Sequence, residues 1–363
     1  MPSIRLLVKK RLRKTAKWVL RLSIAAVSTL FPVAYESCKV RSGYRTYRTI
    51  KERYGENCHL FFFRGATGDV FLANSLIPAF TQEKRIQNYV FLGDGKGLKP
   101  ISKLFGETNI VPLSRWAASC FQSFYKLVGQ AQEDITDLFL WQHTMYFNRC
   151  RTRMLERFHF MDTYQWYVFG FDCRREAVFP SYSEPNAENQ EKWRTMGIDP
   201  GRTVIISPNA YSVTGLPGDV WKQIDQALRA MGWKTRYCTN PKNEEAPFKG
   251  AQTIWFSFAD SVPLLEYAGA FLSVRNGLCD IVSSAGCRMV ILYPCALKKT
   301  NYSEHRSDAA FCGLRAMGLN ENAVEISTPL IRNMEIQSDA YNYGHTREDV
   351  DQLIREIKKS LTK

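Results

Sequence analysis

The sequence predicts an α/β fold: two parallel-sheet domains facing a central cleft, behind a basic helical arm. Three observations predict it. Short apolar runs recur about every 18–30 residues in the second half, with helical or loop segments between them, the pattern of βαβ units. A glycine-containing turn follows a buried strand in each half, at residues 64–68 and 275–277. Residues 181–190, rich in Pro, Ser, Asn and Glu, read as the linker between the halves. The domains expected are the arm at 1–53, an N-terminal α/β domain at 54–185, a C-terminal α/β domain at 200–335 and a closing helix at 340–363.

In chain order, Cys-His-Leu-Phe-Phe-Phe at 58–63 is a continuous apolar run, as a buried parallel strand requires. A glycine loop and an amphipathic helix follow at 64–80, with Pro78 near the helix end. Strands are expected at 89–92 and 109–111, and a long helical region, aromatic and arginine-rich, at 134–160. The second half reads as strands at 203–207, 234–238, 253–256, 271–274 and 289–293. Helices fill 220–231, 264–270 and 278–284, and a last helix spans 346–361, opened by Thr346 and Asp349 and closed by lysines.

The net charge of +14 is unevenly placed. Residues 1–53 hold 14 of the 49 Lys and Arg against Glu36 and Glu52, which leaves 35 basic and 33 acidic residues for the rest. A nearly neutral body with a basic arm excludes a surface shaped to track nucleic-acid phosphates, and no nucleic-acid partner is expected. The apolar run at 22–35 is shorter than the roughly 20 residues a spanning helix needs, and Pro32 interrupts it. It reads as an interfacial helix, as a helix packed on the body, or as a signal or anchor segment. The first is favoured: residues 1–35 lying on an anionic membrane, at the inner face of the cytoplasmic compartment. Ten dispersed cysteines without C-x-x-C spacing suit reduced thiols in that compartment.

The stretch 272–280, Leu-Ser-Val-Arg-Asn-Gly-Leu-Cys-Asp, is a strand ending on Arg275, an Asn276-Gly277 turn, and a helix opening at Leu278. Helix N-termini attract anions, and an arginine beside one favours phosphate. An ordinary strand–helix corner is the competing reading. Asp349 and Asp351 form a D-x-D pattern, but inside a helix positions two apart diverge, so they read as a solvated face. Gly93-Asp-Gly-Lys-Gly97 lacks P-loop spacing and reads as a turn.

Pieces from both halves resemble the GT-B glycosyltransferases, with their two Rossmann-like domains, and within them the bacterial heptosyltransferase family. They are Gly68-Asp69 with the apolar helix up to Pro78, and Ser207-Pro208-Asn209 followed by Leu216-Pro217 and Trp221. The third is the stretch 272–280, with Val-Ile-Leu-Tyr-Pro at 290–294 behind it; together they cover about residues 58–80 and 203–295. Arg275 stands where that family has aspartate, Asn276 where it has threonine, and Asp280 where it has histidine. Thr214 falls about where a donor-phosphate lysine is expected.

The resemblance implies metal-independent transfer of a sugar, of hexosyl or heptosyl type, from a nucleotide-diphospho sugar. The acceptor would be a hydroxyl of a saccharide or lipid-linked saccharide, in cell-surface polysaccharide synthesis, with no cofactor. The alternative is a non-catalytic nucleotide- or carbohydrate-binding protein of the same fold, tethered to the membrane. Such transfer needs a base for the acceptor proton and stabilisation of the departing diphosphate. Asp69 is the base candidate, and equally a helix cap. Arg275, with the amides of Asn276, Gly277 and Leu278, is the diphosphate candidate. Asp280 is a dipole partner in the first helical turn or a contact to sugar or ribose hydroxyls. Ser207, Asn209 and Thr214 are polar groups at a strand end that reach donor or acceptor oxygens, or simply satisfy their loop. Glu244 and Glu245 are ribose candidates or a solvated loop. Lys298, Lys299, His305 and Arg306 form a polar loop able to close over phosphates. No metal ligands are expected.

Overall fold

A computed structural model describes residues 29, 31–95, 97–128, 133–138, 159–210, 215–241, 244–294, 298–300, 303–305, 309–328 and 347–362. In chain order the elements begin with α1 (Pro32–Tyr54), β1 (His59–Phe63), α2 (Thr67–Lys84), β2 (Tyr89–Gly93), α3 (Leu98–Leu104), β3 (Ile110–Pro112), α4 (Arg115–Val128) and β4 (Ile135–Asp137). A one-turn helix, α5 (Phe160–Asp162), runs into a π-helical turn at Thr163–Val168. Then come α6 (Ala187–Thr195), β5 (Thr203–Ser207), α7 (Gly218–Ala230), β6 (Lys234–Cys238), β7 (Thr253–Ile254), α8 (Phe258–Ala268), β8 (Gly269–Val274), α9 (Gly277–Ile281) and β9 (Arg288–Pro294). The chain closes with β10 (Lys298–Thr300), β11 (Ser303–His305), α10 (Ala309–Cys312), β12 (Val324–Thr328) and α11 (Arg347–Thr362).

Two compact units emerge: Met1–Phe62 with Asn88–Asp94 and Val111–Thr136, and Phe63–Gln87 with Gly95–Ile110 and Asp137–Lys363. They interleave along the chain, whereas the sequence suggested consecutive blocks at 54–185 and 200–335. The reason is local: α2 follows β1 directly but packs against α9, so it clusters with the C-terminal elements.

The first unit is built on a four-stranded sheet of order β3-β2-β1-β4. Leu60 and Phe62 of β1, Val90 and Leu92 of β2, and Phe121 and Phe124 of α4 form its core, with Ile50 of α1. Part of the stretch expected as a membrane-associating helical arm is therefore a helix packed on this sheet. Gly43 lets α1 cross α4 closely, since a Cβ there would stand 2.3 Å from the Cys120 carbonyl oxygen. Lys51 is buried on the same helix. Its Nζ donates to the carbonyls of Glu56 at 2.7 Å and Cys58 at 2.5 Å and pairs with Asp134. The Tyr47 hydroxyl donates to Asp134 Oδ2 at 2.8 Å. Burial pushes the His59 imidazole down to about 4, so this histidine, hydrogen-bonded to Thr136 Oγ1 at 2.8 Å, is neutral. Residues 1–28, which carry most of the arm's charge, lie outside the described residues.

The second unit holds a six-stranded sheet of order β12-β9-β8-β5-β6-β7, parallel throughout. Ile206 lies opposite Leu272 and Ser207 opposite Ser273. Trp221, Ile224 and Leu228 of α7, spaced as one helical face, cover the sheet together with Val350, Leu353 and Ile357 of α11. Each such buried side chain contributes about 1.5–3 kcal/mol. Ser257 caps α8 by accepting the Asp260 N–H at 3.2 Å, and Gly269 ends it at φ 100°, a left-handed conformation that suits glycine.

Two expectations are corrected. Helix was expected from 134, but Ile135–Asp137 is a strand, because these residues pair at the edge of the first sheet. Residues 139–158 of that region lie outside the described residues. The polar loop expected around Lys298 to His305 is a β10–β11 antiparallel pair, with Thr300 opposite Ser303, while Arg306 is not among the described residues.

Candidate functional site

In the second unit's sheet the chain lays β5 down first, moves outward through β6 and β7, then returns to place β8 on the other side of β5. The carboxyl ends of β5 and β8 therefore flank the point where strand order reverses, where open α/β sheets hold their ligands. Ser207 ends β5 and Asn209 follows it, while Arg275 to Leu278 follow β8, so the fold brings these predicted residues together. Asn276 joins them. Its Oδ1 accepts the Leu278 N–H at 2.9 Å, capping α9, while Nδ2 donates to Ser207 Oγ at 2.9 Å and to the Asn209 carbonyl at 2.8 Å.

Arg275 does not point to a free anion site. Its Nε donates to the Cys312 carbonyl at 2.8 Å, and one terminal nitrogen donates to the Asn276 carbonyl at 2.6 Å and to Asp280 Oδ2 at 3.1 Å. The other donates to Asp280 Oδ1 at 2.6 Å. Four of the five guanidinium N–H donors are thus committed inside the protein. The residue is 8 % exposed and Asp280 3 %. Burial pushes the Asp280 carboxyl up, and Arg275 opposes this, so the two form a charge-balanced buried pair. In the α9 turn the Leu278 N–H is taken by Asn276, and Gly277 packs on the backbone of Gly68. Among the described residues, most of the guanidinium of Arg275 thus serves protein partners rather than the diphosphate expected for it with the turn amides. The buried arginine's nearest anion is Asp280, five residues on.

Asp69 lies in the first turn of α2. The Ncap residue Ala66 has no capping oxygen, and Asp69 Oδ2 accepts the Ala66 N–H at 2.8 Å instead. The sequence offered Asp69 as the N-cap itself; the helix starts earlier, and Asp69 serves its first turn from the third helical position instead. The residue is half-buried: desolvation pushes its carboxyl up to about 6, the Ala66 N–H pulls the other way, the charge of Asp280 adds to the rise and Arg275 opposes it. A Cβ on Gly68 would stand 2.5 Å from Asp280 Oδ2 and 2.9 Å from the Gly277 Cα. Glycine at both positions is what lets the two helix starts meet.

Sequence reading missed Tyr164, in the π-helical turn. It is wholly buried, its hydroxyl has no hydrogen-bond partner among the described residues, and burial followed by the charges of Asp69 and Asp280 raises it well above the usual phenol range. Nothing in an aromatic-rich run marks one tyrosine above its neighbours. The π-helical turn that presents it is a feature common at functional sites.

Glu244 closes its own loop, with Oε2 accepting the Asn240 N–H at 2.7 Å, and Glu245 is exposed. Both follow β6, the strand beside β5. Asp349 lies in the first turn of α11 and Asp351 is exposed on that helix. Thr214 lies outside the described residues. Among the described residues no cluster of three His, Cys, Asp or Glu is placed to hold a metal ion, and no helix is long and apolar enough to cross a membrane.

No family model and no curated protein matches the chain in sequence. Solved structures do match. A family 9 glycosyl transferase from Veillonella parvula aligns at TM-score 0.52 and 12 % identity, over 84 % of this chain and 97 % of that one. The E. coli ADP-heptose LPS heptosyltransferase II aligns at TM-score 0.52 and 12 % identity, over 84 % and 98 %. The fold is of the GT-B type. Within it, the reversal point between β5 and β8 and the start of α2 carry the residues that the sequence singled out.

Proposed function

We propose that the protein is a glycosyltransferase that moves a sugar from a nucleotide-diphospho sugar to a hydroxyl of a saccharide or lipid-linked saccharide. The observation that carries this reading is Asp69. A carboxyl at the start of a helix, half-buried and pushed up to about 6, is matched to taking a proton near neutral pH. In the reaction the acceptor oxygen bonds to the anomeric carbon, the bond from that carbon to the diphosphate breaks, and Asp69 takes the hydroxyl proton. The donor is assigned to the carboxyl ends of β5 and β8, with Ser207 and Asn209 at its edge and Glu244 or Glu245 on the β6 side for ribose hydroxyls. The two solved neighbours named above, a family 9 transferase and one titled for ADP-heptose, support this donor class. The same reading places the chain in cell-surface polysaccharide synthesis, metal-independent. Residues 1–35 would hold it to an anionic inner membrane face.

Asp69→Asn keeps the capping oxygen and removes the basicity, so the circular-dichroism spectrum is retained and turnover falls by about 10²–10⁴. In the unaltered protein the rate climbs as pH rises through about 6, because only the ionised carboxylate accepts a proton. Near-normal turnover in Asp69→Asn would move the role of base to another residue, whereas nucleotide binding without any turnover in the unaltered protein would favour a binding protein of the same fold.

A further inference from the structure

The start of α2 meets α9 through two glycines and one buried ion pair. Gly68 and Gly277 touch backbone to backbone, with a Cβ on Gly277 placed 2.6 Å from the Gly68 nitrogen. Asp280 Oδ2 sits against Gly68, the residue that precedes Asp69. Its carboxylate cannot swing away, because Arg275 grips both oxygens, at 2.6 and 3.1 Å, and Arg275 is itself anchored to the carbonyls of Cys312 and Asn276. The oriented guanidinium fork fixes direction as well as distance.

We propose that Asp280, pinned by Arg275 against the backbone of Gly68, is a positioning residue for Asp69, holding a fixed negative charge beside it so that Asp69 remains able to accept a proton at neutral pH. This rests on the reading of Asp69 as the base. The pair sets that charge in two opposed halves. Asp280 disfavours ionisation of its neighbour, and Arg275, further along the same pair, favours it. Among the described residues, the phenol of Tyr164 feels both carboxylates and stays protonated, and the buried thiol of Cys279, whose ionisation is also disfavoured, feels Asp280 and Arg275. Ala66 contributes an N–H from the helix's own first turn.

The arrangement differs from a merely structural ion pair in one measurable respect. Loosening the α2–α9 joint admits water to Asp69 and lowers its midpoint whichever partner is removed. A fixed charge pair shifts it in opposite directions. The test is carbon-13 detected titration of the Asp69 carboxyl in the full chain, paired with pH–rate profiles. Asp280→Asn should lower the Asp69 midpoint by about 1 unit, since it removes a like charge and leaves Arg275 unbalanced. Arg275→Gln should raise it, and the double variant should return it toward the starting value. Tyr164→Phe changes no charge and should leave it in place.

Shifts of the same sign in the two single variants, or no shift in either, overturn the proposal. Should a single variant fail to fold, the remaining one and the double variant still decide it, since the proposal requires their midpoints to differ. If the midpoints move as stated while the rate profiles do not follow, the positioning role stands and the reading of Asp69 as the base falls.

Discussion

Lys51 and Arg275 are both buried cations, one in each compact unit, and they do different work. Lys51 spends its three N–H donors on two carbonyls and Asp134, and so ties α1 to the strand that follows it and to the sheet edge. Arg275 spends four of its five on two carbonyls and Asp280, yet the carboxylate it grips lies against the residue before Asp69. Burial and saturation alone therefore do not separate scaffold from site. What the partner touches next does.

Removing one partner of either pair is the strongest way to break the comparison. Arg275→Met strands Asp280 in an apolar setting, and chemical denaturation should show a loss of about 3–5 kcal/mol. Lys51→Met should cost less, about 2–3 kcal/mol, because Asp134 keeps 31 % of its side chain exposed and can recruit water. Its surviving folded fraction should show an unchanged pH–rate profile; a moved profile would erase the distinction between the two cations.

The glycine contacts sharpen the same contrast. Gly43→Ala and Gly277→Ala each force a Cβ into backbone, at 2.3 Å from the Cys120 oxygen and 2.6 Å from the Gly68 nitrogen, and each should cost about 1–3 kcal/mol in thermal unfolding. Only Gly277→Ala should also lower turnover in the folded protein, since only that contact sets the place of Asp69.

Asp69 itself supplies the smallest effect, with an informative sign. Its folded-state midpoint of about 6 lies above the ordinary 3.8, so the folded protein binds more protons than the unfolded chain between those pH values. Stability therefore falls as pH rises from about 4 to about 6 and stays lowered above it. Asp69→Asn, which cannot ionise, should be about 1–2 kcal/mol more stable at pH 7 and gain nothing at pH 4. A variant both more stable and inactive marks a group held against its own preference for function.

The α1 helix shows why part of the fold escaped sequence reading although its signal was there. Val40, Gly43, Tyr47, Ile50 and Tyr54 recur at helical spacing, but the surrounding Lys and Arg made the segment read as a helical arm meeting a membrane rather than as part of the core. Elements such as β12 were missed for another reason: Val-Glu-Ile-Ser-Thr has only two apolar residues and does not declare a strand without its neighbour β9.

By itself the sequence determined the parallel α/β character, since continuous apolar runs of five or six residues can be buried on both faces only in a covered sheet. It also determined that Asp69 belongs to the start of a helix behind a glycine loop and that Asn276 sits in a tight turn between a strand and a helix. Tertiary structure alone decided what those residues face. Asp69 and Asp280 are 211 positions apart by their numbering, and no local pattern couples them; the Gly68–Gly277 contact does. The same holds for Arg275, whose charge was legible but whose partner was not. An arginine at a strand end faces a ligand or a carboxylate according to how the next turn folds back, and that is set by long-range packing.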